Sequence, residues 1–306
     1  FARVHSACWA TGGESVHQAL LGTIAALNTT AAPSCMAEIL CPLVSIILSH
    51  SSSPQQVLAA IHSLIDLIDN NPKLKNRTLS LIDPSLIVRL LDRSLDVVAS
   101  QTAVLIDHLA RNNPDVSQVL LTKSRAVIFS LRDRALKGCA HSLTTLANLF
   151  HQAPELLCPH ILSLFPFFLG WVCSSQSSLS QKAAAMDLFS AFTEFKINDE
   201  TVLRHISAVF SRPEHFHELL VEPILEHTLN TLIGLLLNYQ TITDPRINKP
   251  ELSQTLVNII ENTQLEPSVS DKCFKVLSLL GSKYSRDSSV RRPIIQQPPR
   301  TQAQCM

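Results

Sequence analysis

Twelve histidines and eight cysteines are the side chains of this sequence best suited to hold a metal or attack a substrate. The tightest groupings are His215-Phe216-His217 and Cys158-Pro159-His160. Residues two apart on a helix point to different faces, so His215 and His217 are not expected to converge on one ion. Neither grouping has the spacing of HExxH or of paired CxxC motifs. The cysteines (Cys8, Cys35, Cys41, Cys139, Cys158, Cys173, Cys273 and Cys305) form no CxxC and sit in no catalytic signature. They read as reduced, buried thiols of an intracellular protein. GxSxG, GxGxxG and GxxxxGK[ST] do not occur. Asp66/Asp69 and Asp92/Asp96 place carboxylates at helical spacing. General acid–base work would use such pairs, and solvated helix faces and helix-end charges explain them as well. No catalytic, cofactor-binding or metal-ligating residue is assigned. The chain reads as not an enzyme, with no cofactor and no small-molecule substrate.

Two stretches could bind something larger. Lys123, Arg125, Arg132, Arg134 and Lys137 form the best basic run. Arg125 and Arg132 are seven apart and share a helix face, Asp133 dilutes the charge, and no aromatic interleaves to stack bases. A solvated helix surface is the expectation, and direct nucleic-acid contact is not. Residues 156–173 carry no formal charge over 18 positions, long enough to span a bilayer. Pro159, His160 and Pro166 interrupt the run and no basic cluster flanks it. It is expected to be a buried helix kinked near Pro166, with no membrane partner.

The elements that must carry these residues are helices. The chain has 306 residues, 46% hydrophobic and only 16% charged, with 25 basic residues against 25 acidic ones. Seven glycines are far below the roughly 7% that is usual and are too few for most nucleotide-binding α/β enzymes. With zero formal net charge, nucleic-acid binding by the whole surface is not expected. Apolar residues recur at helical spacing and predict helices over 14–28, 34–49, 54–69, 73–82, 84–96, 98–111, 115–132, 134–151, 155–173, 178–195, 199–210, 214–239, 249–263 and 268–284.

These helices repeat. Asn70-Asn71-Pro72 recurs as Asn112-Asn113-Pro114, and Gln152-Ala153-Pro154 follows 40 residues later. In the helix before each, Leu64, Ile106 and Leu146 occupy one position. Leu67, Leu109 and Leu149 occupy a second, and Ile61, Ala103 and Leu143 a third. Positions three apart make one stripe. The period of about 40–44 residues fits two-helix units of the HEAT/armadillo kind. One helical pair cannot cover its own apolar stripe, so neighbours must stack in series.

Residues 84–110, with a leucine-rich helix opened by Pro84 and a second helix beginning Asp96-Val97-Val98, resemble a unit of the HEAT family. Residues 155–195, with Gln181-Lys-Ala-Ala-Ala-Met-Asp-Leu-Phe189, look similar. Ala99 stands near where that family carries arginine, so its Asp–Arg ladder between repeats is not expected. The resemblance implies an all-α, armadillo/HEAT-like α-solenoid of about six or seven helical pairs in a curved right-handed stack. It is clear over residues 34–195 and looser from 199 to 284. The expected organisation is a poorly ordered segment at 1–13, the solenoid at 14–284 and a flexible tail at 285–306. The start at Phe1 suggests a piece of a longer protein.

A scaffold or adaptor is the expected role. Its protein partner would lie along a concave groove lined by the second helices 54–69, 98–111, 134–151 and 178–195, with anchor residues unknown. The Leu/Ser/His-rich, glycine-poor texture also resembles part of the large vertebrate armadillo-like proteins of the meiosis-inhibitor type, through composition rather than a short motif. That likeness implies a nuclear factor in meiotic double-strand-break formation and chromosome synapsis. The alternatives are a nucleic-acid-associated solenoid and a regulatory subunit of a cytoplasmic assembly.

Overall fold

The computed structural model describes residues 52–284 except 71, 83, 93–95, 114–117, 121, 123–124, 240–246 and 248, together with Leu40, Leu43, Val44, Ile46 and Ile47. Segment 1–13, the expected helix 14–28 and the tail 285–306 lie outside these residues. Every regular element among them is helical: α1 Pro54–Asn70, α2 Leu74–Leu81, α3 Pro84–Asp92, α4 Asp96–Ala110, α5 Arg125–Leu136, α6 Ala140–Gln152, α7 Pro154–Ile161, α8 Phe165–Cys173, α9 Leu179–Glu194, α10 Glu200–Val209, α11 Pro213–Leu219, α12 Leu225–Asn238, α13 Lys249–Asn262 and α14 Pro267–Tyr284. A 3₁₀ turn, Leu162–Leu164, joins α7 to α8.

The helices start where local chemistry fills their unpaired N–H groups. Ser178 and Gln181 form a reciprocal capping box at α9, and Ser53 and Gln56 make the same pair of bonds at α1. Asp199 caps α10 through the Val202 N–H at 3.0 Å. Proline opens α1, α3, α7, α11 and α14, where its missing N–H costs nothing.

Three expected boundaries move. A break was expected between 132 and 134, but α5 runs on to Leu136 and ends at Gly138, whose φ of +101° suits glycine. The expected single helix over 214–239 is two, α11 and α12, parted by residues 220–224 and the cis Glu222-Pro223 bond. The expected helix over 155–173 is interrupted at 162–164, immediately ahead of Pro166, because a proline ring clashes with the carbonyl four residues back.

Packing follows the repeat. α1, α4, α6, α9, α12 and α14 lie side by side in chain order as one layer. The other helices form a second layer, in which α3 meets α5, α8 meets α10, and α11 meets α13. Each unit contributes one or two helices to the first-helix layer and one to the second-helix layer. The nine repeat positions read from the sequence, from Ile61 to Leu149, are all at most 1% exposed. One buried core runs from Leu40 to Leu280, widened by Phe165, Phe168, Phe189 and Phe192 at its middle. Burying each such side chain contributes roughly 1.5–3 kcal/mol. The chain is an all-α solenoid.

Candidate protein-binding face

Each helix of the second-helix layer turns one stripe to water. On α1 the stripe carries His62, Asp66 and Asp69; on α4, Gln101, Val104 and His108; on α6, His141, Thr144, Asn148 and His151. α9 adds Asp187 and Glu194, α12 adds Glu226, His227, Asn230 and Leu237, and α14 adds Ser268, Asp271 and Lys275. The four helices expected to line a groove therefore do share one layer, and α12 and α14 extend it.

Polar side chains stitch the stripes together. His108 Nδ1 meets Asp69 at 2.8 Å and His62 Nε2 meets Gln101 at 3.1 Å, both between α1 and α4. Asn148 on α6 donates to Asp107 on α4 at 2.5 Å. The centre of the layer is Asp187 on α9. One of its carboxylate oxygens lies 3.4 Å from His151 Nε2 on α6 and 3.1 Å from His227 Nδ1 on α12. Burial alone would push the Asp187 carboxyl up, but the hydrogen bonds and charge of these two imidazoles hold it at about 2. Burial likewise opposes charge on His227, yet Asp187 raises its pKa above the usual histidine value.

Between α9, α12 and α14 the face opens into a depression of about 570 Å³. Ile233 and the 46%-exposed Leu237 supply apolar surface, Asn230 and Asn238 supply amides, and Glu194 and Lys275 supply charge. Asn238 donates to the Thr193 carbonyl at 3.2 Å. α12 lies close to α9 because residue 234 is glycine: a Cβ there would fall 2.4 Å from Thr193 Oγ1. The exposed Leu237 and the close approach at Gly234 were not singled out from the sequence. A glycine inside an apolar helical run was the available signal.

The other candidates come apart. Of the basic run, Arg134 turns inward to Asp96 at 2.8 Å, and Arg132 pairs with Asp133 at 3.2 Å. Contrary to expectation an aromatic is interleaved: Arg132 lies 5.0 Å over the ring of Phe129, whose other neighbour is the edge of His160. The Arg134–Asp96 pair is a cross-repeat Asp–Arg contact after all, built from a different arginine than the family's. Lys182 and Glu218 make a second cross-repeat pair, between α9 and α11. Burial raises the pKa of Cys158, and its neighbour His160 faces Phe129 rather than the thiol. The side chain of His217 lies outside the described residues. Among the described residues no group of three or more His, Cys, Asp or Glu side chains is placed to hold a metal ion.

The uncharged stretch is a correction. Pro154–Cys173 is long and apolar enough to cross a membrane, and only 33% of it is buried. It is an outer helix packed on one side, with Leu156 47% and Phe167 41% exposed. Its kinked, two-part path lets Leu157, Ile161, Phe165 and Phe168 reach the core while their neighbours stay outside.

Neither a family model nor a curated protein matches the chain. Solved structures do. An engineered protein superposes with a TM-score of 0.59 at 13% identity, covering 79% of this chain and 96% of its own. A designed armadillo repeat protein in complex with the peptide (KR)4 gives 0.53 at 15% identity, covering 79% and 99%. Computationally designed armadillo repeat proteins for modular peptide recognition give 0.53 at 14% identity, covering 78% and 99%. At these identities the likeness shows the fold.

Proposed function

We propose that this chain is a non-enzymatic helical-repeat scaffold that holds a segment of another protein against its second-helix layer. The observation that carries the reading is the continuous ladder of α1, α4, α6, α9, α12 and α14, with an open depression at Leu237. Solenoids use such extended faces for binding, and a few anchors in desolvated pockets provide most of the affinity. The designed armadillo protein that carries a peptide supports the use of this architecture for peptides. Two cross-layer features favour protein over nucleic acid as the partner. The layer's solvent stripes are poor in lysine and arginine, and the half-buried Arg132 of α5 lies on the opposite layer beside Asp133 and Phe129.

The test is a peptide-display selection against the full chain, repeated with Leu237→Arg/Ile233→Arg, which fills the depression with charge. Selected ligands should lose binding to the variant. Ligands that bind both forms equally, or that crosslink only to the first-helix layer, overturn the reading. The setting we propose is the nucleus, in meiotic double-strand-break formation and chromosome synapsis. It is supported by the compositional resemblance alone. A tagged chain should concentrate in meiotic prophase nuclei, and a purely cytoplasmic signal refutes that assignment.

A further inference from the structure

The chain as a whole is neutral, with 25 basic and 25 acidic residues, but the two layers divide that charge unevenly. Along α1, α4, α6, α9 and α12 the only lysine or arginine is Lys182. Lys182 is buried and points away from the stripes, to Glu218 on α11. Arg111, just past the end of α4, is tied to Asp107 at 2.5 Å. The same five helices expose Asp66, Asp69, Glu194 and Glu226 on this face, Glu226 within 2.5 Å of Lys272 on α14; Asp187 is only 14% exposed between its two histidines, and the exposed Asp96 is turned to Arg134 on the other layer. The exposed arginines Arg77, Arg89, Arg125 and Arg204 all belong to the first-helix layer. Cations reappear on the second-helix face only at its far end, as Lys272 and Lys275 on α14.

Charge is joined by shape. Glu194, 66% exposed, stands at the rim of the depression, and its one close partner, His151 Nδ1, is 3.7 Å away. Beside it Asn230 has no side-chain partner among the described residues, so its amide can both donate to and accept from a peptide backbone. Leu237 and Ile233 give the aliphatic stem of a long side chain a surface to lie on.

We propose that the second-helix face from α1 to α12 docks an extended segment rich in lysine and arginine. The proposal rests on the reading of that face as a docking surface and adds the chemistry of the occupant. His108 lies 2.8 Å from Asp69 and His227 3.1 Å from Asp187 along the same face. The cations of α14 mark the end where the basic run stops.

Fluorescence anisotropy on the full chain tests this, with labelled (KR)4, (GS)4 and (DE)4 peptides as probes. (KR)4 should bind at least about tenfold tighter than either control. Its affinity should fall severalfold as NaCl rises from about 50 to about 300 mM, because the contacts are solvent-exposed. Asp66→Asn with Glu194→Gln removes two exposed charges and should weaken (KR)4 severalfold. Glu155→Gln, on the first-helix layer, should leave binding unchanged. Circular dichroism and melting of each variant confirm that it is folded. Equal binding of (GS)4 or preference for (DE)4 overturns the charge assignment while the docking reading stands on its display selection. Binding of (KR)4 that ignores the double variant, or no binding of any probe, overturns the proposal.

Discussion

Asp187 joins three helices through one carboxylate, and its titration should be visible in the stability of the fold. Its folded pKa of about 2 lies below the unfolded value of about 3.9, so its contribution is full above about pH 4 and is lost as pH falls toward 2. His227 runs the other way. Its raised pKa gives stability that is complete below about pH 6.5 and lost as pH rises through the folded value. Asp187→Asn should therefore lower the melting temperature most between about pH 4 and 6.5, and His227→Gln should flatten the profile above that window. A D187N profile parallel to the parent from acid to neutral pH contradicts the assignment. Gly234 is the second residue with an outsized role. Gly234→Ala places a methyl group against Thr193 and forces α12 away from α9, at about 1–3 kcal/mol. A stabilised alanine variant would mean that the two helices can part without loss.

Between elements, the Lys182–Glu218 pair ties α9 to α11 in the next unit. The Lys182 side chain is 4% exposed and that of Glu218 41%, so the two ends are not equivalent. Removing Glu218 strands a buried cation, whereas Lys182→Met removes the charge and keeps the stem. Glu218→Gln should cost about 2 kcal/mol, less than a fully buried pair because water reaches the carboxylate, and Lys182→Met should cost less. Denaturant titration of both variants checks the order, and the reverse order refutes it. The Arg134–Asp96 pair, with Asp96 89% exposed, should be worth under about 1 kcal/mol by the same measurement. Helix identity and most helix starts were legible in sequence, because proline, Ser-x-x-Gln and apolar spacing act within one turn. The kink near Pro166 was also legible and falls at 162–164, whereas the break at Gly138 was misplaced. That break depends on where the next unit needs the chain to turn.

Across the described stack, stability is a sum of neighbour contacts, and α14 covers a side of α12 that would otherwise be bare. Truncation after Asn262 removes α14 and uncovers the side of α12 that packs on it. The shortened chain should melt several degrees lower and bind a hydrophobic dye. An unchanged melt would show that α14 is not part of the cooperative stack. The repeat register was readable from sequence alone: nine positions at equivalent places in three helices predicted a buried stripe, and all nine are buried. That succeeds because a 3.6-residue period and a period of about 40 residues are properties of the chain's order. The site was not readable in that way. His151, Asp187 and His227 are 36 and 40 residues apart, and nothing in their local sequence marks them as a trio. Nor does the sequence reveal that Lys182 faces inward while Glu194, on the same helix, faces out. Such choices follow from the rotation each helix adopts to bury its stripe against two neighbours, and only the packed stack decides that rotation.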